Sequence, residues 1–407
     1  MKSNSCDYLI IGAGIIGLSI AREILLNQKN ANVIVVDKEK EVGLHASGRN
    51  SGVLHAGFYY SPDSLKAKLT RDGNKLLREF CNENNVEVKN VGKVVVTKSE
   101  LEEERLQDLY DRGIKNGVEI EIVDKNQLKE LEPRAKTFNK ALWSPNTGSA
   151  SPYKVIKAME KSFVSLGGQM MLKQSFVKVE NGEVFLQNQK ITANHIINTA
   201  GLYADKVAHK FGFGHKYRML PFKGLYWYAP NQTNKLTRHI YPVPDPRNPF
   251  LGVHLTVTDE GKVKVGPTAI PALWRENYRL IKNFRIQELL QVATDLPKMA
   301  LSPHHDFFEL LKQELPKYSR KYLINQASLL AEGINVDDFN VRGKAGIRAQ
   351  LFDIEQNKLE MDFVLEGDRN STHVLNAVSP AWTCSLSFAK YVYEFMQKNQ
   401  QVHKVGN

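Results

Sequence analysis

The sequence predicts an α/β fold in two lobes: a Rossmann-type domain with an α+β domain inserted into it. Three observations carry this prediction. The chain opens with an apolar run at 8–11, then Gly12, Gly14 and Gly17 at G-x-G-x-x-G spacing. An amphipathic helix and a second apolar run at 33–36 follow, ending in Asp37 and Lys38. The segment 195–205, His-Ile-Ile-Asn-Thr-Ala-Gly-Leu-Tyr-Ala-Asp, returns to that pattern after a helix from Pro152 and two strands. Between about 217 and 335 the composition changes: more aromatics, several prolines, alternating strands and a helical block around 281–311.

Each part of the opening run has a physical task. Gly12 permits the tight turn, Gly14 lets a pyrophosphate approach the backbone, and Gly17 lets the helix lie close on the strand. The helix N-terminus offers unpaired N–H groups and positive dipole to phosphates. Asp37 can accept hydrogen bonds from ribose hydroxyls. Strand, glycines, helix, second strand and terminal acid together specify dinucleotide binding more sharply than a glycine-rich turn alone.

The elements that follow are read in order. Leu65, Leu69, Leu76, Leu77 and Phe80 predict a helix over 64–84, and alternation over 88–97 predicts a strand. A charged helix is expected over 100–116, its charges forming a solvated face. The chain re-enters the first lobe through 343–351, a strand at 373–377 and a helix from Pro380 with Ser379 as its N-cap. Residues 1–90, 146–216 and 336–407 are therefore assigned to the cofactor domain. Residues 91–145 and 217–335 are assigned to the substrate domain.

Composition fits a soluble enzyme. The 407 residues are 42% hydrophobic and 24% charged, which excludes wholesale disorder. A net charge of +11 suits acidic substrates, an anionic membrane surface or nucleic acid. No dense Lys/Arg block with interleaved aromatics is present, so no nucleic-acid partner is expected. Three cysteines without metal spacing point to a reducing compartment, and no metal site is expected. The first strand begins too early for a signal peptide, and no apolar run is long enough to span a bilayer. A cytoplasmic protein is expected, with any membrane contact peripheral and on the inner face. Oligomeric state stays open.

The segment His45-Ala-Ser-Gly-Arg-Asn-Ser-Gly-Val-Leu-His-Ala-Gly-Phe-Tyr-Tyr60, followed by Ser64-Leu-Lys-Ala-Lys-Leu69, resembles the L-2-hydroxyglutarate dehydrogenases and oxidases, D-amino-acid-oxidase-like flavoproteins. The resemblance continues in His239-Ile-Tyr-Pro-Val-Pro-Asp245, Phe250-Leu-Gly-Val-His-Leu-Thr256 and Val265-Gly-Pro-Thr268. It recurs in Lys344-Ala-Gly-Ile-Arg-Ala-Gln350 and His373-Val-Leu-Asn-Ala-Val-Ser-Pro-Ala381, and so spans almost the whole chain. Two positions depart from the family. Trp382 and Cys384 follow Ser-Pro-Ala where small residues are usual, and 148–152 reads Gly-Ser-Ala-Ser-Pro where an acid is commoner.

The resemblance implies FAD. In that reading Arg49, Asn50 and Ser51 make a second approach to pyrophosphate and flavin, while Gly52 and Gly57 let main chain lie flat on the ring. Val177 matches an adenine-contacting strand and Gly201 a cofactor-contacting turn. Ser379, Pro380, Ala381 and Thr383 would form a helix start that stabilises charge on reduced flavin. The implied reaction is oxidation of L-2-hydroxyglutarate to 2-oxoglutarate by hydride transfer to flavin N5. It needs a base for the hydroxyl proton, and neutral histidine suits that at a pKa of roughly 6.5. His254 is the first candidate, because alternation turns Gly252, His254 and Thr256 to one strand face, after Tyr241. His55 is its rival. Lys223 and Arg348 are the candidate cations for a small dicarboxylate substrate.

The fold equally hosts oxidation of another small 2-hydroxy acid or of an amino acid, and a flavin-bearing redox sensor without turnover is the non-enzymatic alternative. A membrane quinone and oxygen are the rival electron acceptors. Cys384 raises the question of covalent FAD, although a lone cysteine near a flavin is more often inert.

Overall fold

In the computed structural model, described over residues 4–230, 236–246, 248–301 and 307–402, the opening run folds as a βαβ unit. β1 (Asn4–Ile11) pairs in parallel with β2 (Val33–Val36) on one side and with the strand Lys190–Asn198 on the other. Gln169–Met171 extends the parallel sheet beyond β2, and Ser371–Asn376 extends it beyond Lys190–Asn198. The apolar runs are continuous because both faces are covered. Tyr8, Ile10, Val33 and Val35 face one core with α1 (Ile15–Asn27), α2 (Leu65–Glu83) and the helices Pro152–Ser165 and Ser385–Val402. Leu9, Ile11, Ile34 and Val36 face the other, with Val184, Ile191 and Val207.

Gly17 acts as its spacing predicts. A Cβ there would lie 2.0 Å from the Gly12 carbonyl oxygen, so α1 can sit this close only without a side chain. α2 falls within the expected 64–84, and Ser64 caps it: its hydroxyl accepts from the Ala67 N–H at 3.1 Å. α3 (Glu100–Lys115) places Glu100, Glu102 and Glu103 in its first turn and Arg112 and Lys115 in its last, in line with the helix dipole.

A second sheet runs in the order 341–342, 227–229, 263–266, 254–257, 239–242, 93–96, 141–144, 121–123. It therefore combines strands from 91–145 with strands from 217–335, and it takes Val341–Arg342 from beyond the expected boundary. Its two faces differ in chemistry. Val94, Val96, Ile240, Leu255, Val257, Val263 and Val265 pack on Leu323, Ile324 and Ala327 of the helix Arg320–Ser328. Alternation then sends Lys93, Tyr241 and His254 to the opposite face. The lobes are joined by Tyr217–Gly224, which pairs antiparallel with Gly346–Asp353 along its full length.

Three expectations need correction. The single strand over 88–97 is two, Val88–Lys89 and Lys93–Val96, broken at Gly92, whose φ is +65° and whose Cβ would meet the Trp143 ring at 2.0 Å. The helical block at 281–311 is a loop, the helix Ile286–Asp295, a short turn of helix at Pro297–Leu301 and the helix Phe307–Glu314; residues 302–306 lie outside the described residues. No helix starts at Pro380: residues 379–384 are turns, and the last helix begins at Ser385.

Candidate active site

A cavity of about 1130 Å³ runs from the glycine turn to the polar face of the second sheet. This exceeds the roughly 300–1,000 Å³ of ordinary small-molecule pockets, leaving room for a dinucleotide and a small second ligand. Gly12, Gly14, Asp37, Lys38, Val177 and Gly201 line one end, and His55, Tyr241, His254 and Arg348 line the other. Residues of 49–53, 346–350 and 377–383 line the stretch between.

At the first end the chemistry is mainly that of the main chain. Gly14 is the N-cap of α1 and has no side chain of its own to cap the helix. The Ser47 hydroxyl accepts from the Ile15 N–H at 2.9 Å and closes the turn. Asp37 accepts from the N–H groups of Ala13 (2.7 Å) and Glu39 (2.8 Å), one per carboxylate oxygen. Each oxygen keeps a lone pair for a hydroxyl. Lys38 reaches Glu276 at 2.7 Å and also contacts Glu39, which ties this edge to a loop of the second lobe. Burial opposes the Lys38 charge, but those two carboxylates outweigh it and hold its pKa above the usual value.

The middle stretch differs from expectation in its details. Arg49, Asn50 and Ser51 all line the cavity, yet their polar atoms fold the loop. Arg49 donates to the carbonyls of Leu44 (2.6 Å) and Ala345 (3.2 Å) and lies 4.4 Å over the Tyr278 ring. Asn50 donates to the Ser47 carbonyl at 2.8 Å and accepts from the Gly52 N–H. The Ser51 hydroxyl accepts from the Val53 N–H. Gly52 and Gly57 do not line the cavity. Gly52 has a φ of +73°, and a Cβ there would lie 2.5 Å from the Ala150 carbonyl; Gly57 has a φ of +106° and lies against α2.

Ser379, Pro380, Ala381, Trp382 and Thr383 line the cavity as turns, so no helix dipole is delivered there. The Thr383 hydroxyl accepts from the His55 N–H and donates to the Val53 carbonyl, both at 3.2 Å. Trp382 Nε1 and His55 Nδ1 are buried without a hydrogen-bond partner among the described residues. Such orphaned groups suit a ligand rich in acceptors. Cys384 is buried outside the cavity wall with its thiol pushed up to about 12 by burial, which suits an inert sulfur.

At the second end the side chains do the work. His254 is 4% exposed and stacks on Tyr241 with centroids 3.7 Å apart and planes at 16°. Its Nδ1 lies 2.8 Å from the Gly252 carbonyl, which can only accept; Nδ1 therefore carries the proton and Nε2 the lone pair. Gly252 falls outside the strand His254–Val257, so it contributes this carbonyl rather than a shared face. Burial first, and then the charges of Lys93, Arg348 and Lys264, bring His254 down to about 3. His55 is likewise held neutral, by burial and then by Lys93.

Arg348 lies over the Phe250 ring at 5.3 Å and donates to the Thr268 carbonyl at 3.3 Å, with no carboxylate paired to it among the described residues. Lys223, the other candidate cation, does not line the cavity. It pairs with Ile347 rather than Arg348 across the sheet, which turns it to the other face, where it donates to Asn277 at 2.9 Å.

Two lysines escaped the sequence reading. Lys93 is fully buried behind the cavity wall, with Tyr241, Tyr59 and Phe58 ring centroids 4.3, 4.9 and 5.3 Å from its Nζ. That Nζ has no hydrogen-bond partner among the described residues, and burial lowers its pKa to about 7. Lys66 lines the cavity, is 5% exposed and is brought to about 8 by burial. The only available signal was a lysine inside an apolar strand, Lys93-Val-Val-Val, and such a lysine ordinarily points to solvent.

Comparison with known proteins agrees with this geometry. Residues 7–394 match the FAD-dependent oxidoreductase family. The chain is 35% identical over 427 residues to the mitochondrial L-2-hydroxyglutarate dehydrogenase of Nematostella vectensis, covering 96% of this chain and 90% of that one. It is 33% identical to the L-2-hydroxyglutarate dehydrogenase of Escherichia coli strain K12, covering 96% and 93%. The FAD-bound L-alpha-glycerophosphate oxidase of Mycoplasma pneumoniae, at 22% identity, superposes with a TM-score of 0.78 over 98% of this chain and 95% of that one. Fold, glycine turn and full-length identity converge: the chain belongs to the FAD-dependent oxidoreductases and, within them, to the L-2-hydroxyglutarate dehydrogenase family.

Proposed function

We propose that this protein oxidises L-2-hydroxyglutarate to 2-oxoglutarate. The observation that carries the reading is the neutral imidazole of His254 sharing a cavity wall with Arg348, a cation with no paired carboxylate among the described residues. The dinucleotide end would hold FAD: the α1 turn at Gly12 and Gly14 for the pyrophosphate, Asp37 for the ribose, and Val177 and Gly201 on the adenine side. Residues 49–53, 346–348 and 379–383 would hold the flavin. FAD, when bound, supplies the acceptor for the hydride leaving the carbon that bears the hydroxyl.

The protein's own residues do the rest. Arg348 engages a substrate carboxylate through charge-assisted hydrogen bonds. His254 Nε2 takes the hydroxyl proton, with its ring plane fixed by Tyr241 and its tautomer by Gly252. A base held near 3 by burial and neighbouring cations strengthens when a dianion enters, because negative charge nearby favours the imidazolium. Cation and base then act as one unit: binding the dicarboxylate prepares its own base. A membrane quinone as electron acceptor accords with the net charge of +11.

Anaerobic addition of substrates, read as loss of flavin absorbance, tests the reading. L-2-hydroxyglutarate should bleach the flavin faster than D-2-hydroxyglutarate, lactate, glycerol 3-phosphate or an amino acid. Faster bleaching by any of the others would replace the substrate, and bleaching by none would favour a sensor. Peroxide formed at the rate of dye-linked turnover would assign oxygen as the acceptor.

A further inference from the structure

Nine consecutive residues, 279–287, are exposed, and they do not resemble an ordinary soluble loop. Leu280 is 91% exposed and Ile281 83%, and Phe284, Ile286 and Leu290 are each at least half exposed. Arg279, Lys282 and Arg285 are interleaved with them, and no acidic residue occurs between Glu276 and Glu288. Those two acids are buried and engaged, Glu276 by Lys38 and Glu288 by Lys206 at 3.3 Å and the Arg275 N–H at 3.0 Å.

The loop is held from beneath. Trp274 Nε1 donates to the Lys282 carbonyl at 3.1 Å, and the Trp274 ring meets Phe284 edge-on at 5.2 Å. Asn277 donates to the carbonyls of Arg279 and Leu280, and Asn283 to Glu276 at 2.8 Å. Below, Arg275 forms a buried ion pair with Asp205 of the first lobe. The backbone is thus fixed while the aliphatic tips stay out in water, although Trp274 beneath them offers an apolar surface to fold onto.

We propose that residues 279–290 are a docking surface for an anionic lipid bilayer. It deepens the acceptor reading above by naming the surface that would bring the enzyme to a membrane. Aliphatic tips ringed by cations match the interfacial zone of a bilayer. There the apolar groups enter by about 5–10 Å and the cations meet headgroup phosphates. A second copy of this chain fits less well: a two-fold contact would set three cations against the same three cations with no acid between them. Among the described residues no helix is long and apolar enough to cross a membrane, so attachment here would be peripheral.

Flotation of the FAD-loaded enzyme with vesicles tests the proposal. Phosphatidylcholine vesicles containing phosphatidylglycerol should carry the protein, high salt should weaken binding, and pure phosphatidylcholine should carry little. Leu280→Ser combined with Ile281→Ser should lower vesicle binding at least tenfold while keeping FAD and dye-linked turnover. Arg279→Gln with Lys282→Gln should weaken binding to the anionic vesicles and flatten its salt dependence. Wild-type protein that ignores anionic vesicles would overturn the proposal, as would serine variants that bind equally well. A wild-type dimer that these variants split, without lipid binding, would reassign the surface to self-association. Binding is read without substrate, so its failure leaves the activity standing. Loss of turnover on L-2-hydroxyglutarate would refute the activity and leave the surface untouched.

Discussion

At the dinucleotide end of the cavity the wall is mainly glycine and main chain from residues 12–38, with Val177 and Gly201 beside them. At the substrate end it is side chains, His254, Tyr241, Arg348 and His55, drawn from four separate segments. The first end works by leaving side chains out, so its tolerance is set by distances to backbone atoms that cannot move. The second works by placing charge in a dry space, so its properties depend on which cations stand near which imidazole. One end should therefore fail by steric collision, and the other by loss of rate with the fold intact.

Glycine substitutions give the largest expected effect and split the first end in two. Gly17→Val should not yield folded protein, because its Cβ meets the Gly12 carbonyl at 2.0 Å, a contact between two main-chain segments. Gly14→Val meets only the Ser47 hydroxyl at 3.1 Å and should fold but lose FAD, as read by flavin absorbance after purification. If both variants lost only FAD, the packing role of Gly17 would be wrong.

His254→Ala should retain FAD and melting temperature and lose flavin-reduction rate by about 10²–10⁴, the usual range for a general base. Stopped-flow reduction measures it, and near wild-type speed would move the role to His55. Arg348→Met should raise KM for L-2-hydroxyglutarate by roughly 10- to 100-fold, since a hydrogen bond to a charged group is worth about 1.5–3 kcal/mol. The KM for a monocarboxylic hydroxy acid should change less if Arg348 reads the second carboxylate.

Lys93→Met probes the second end most finely. The ammonium is lowered to about 7 in the fold and lies at roughly 10.4 when unfolded, so the unfolded chain binds more protons in between. Lys93 therefore costs stability near neutrality, and the folded state gains as pH rises from about 7 towards 10, by about 1.4 kcal/mol per pH unit at most. Methionine should raise the melting temperature at pH 7 and remove that part of its rise with pH. It should also let the His254 pKa climb, because the cation that acts most strongly against the imidazolium is gone. A variant with unchanged slope would mean that Lys93 is not desolvated.

The same contrast explains what could be read from residues alone. The βαβ unit, its glycines, Asp37 and the helix over 64–84 are local, each set by neighbours close along the chain, and they were legible. His254, Tyr241 and Arg348 line the cavity, in segments singled out by the family resemblance, with alternation adding to the reading of His254 alone. Lys93 was invisible because its aromatic surroundings are distant in sequence: Phe58 and Tyr59 from an earlier segment, and Tyr241 through a parallel pairing with 239–242, nearly 150 residues away. Lys223 was misplaced for the same reason: only the register against Ile347 shows which face it takes. The turns at 379–384 defeated the capping rule, which sees Ser-Pro but not the Thr383 hydroxyl held by Val53 and His55.

The parallel sheet carries a consequence for synthesis. Its strands come from 4–11, 33–36, 169–171, 190–198 and 371–376, so its last member emerges when nearly all of the chain has left the ribosome. Pairings this distant along the chain form slowly, because a long loop must close before they contribute. The nascent protein thus carries a complete glycine turn early in synthesis but no finished cavity. Cofactor capture becomes a late, sealing event that reports on the integrity of both ends of the polypeptide.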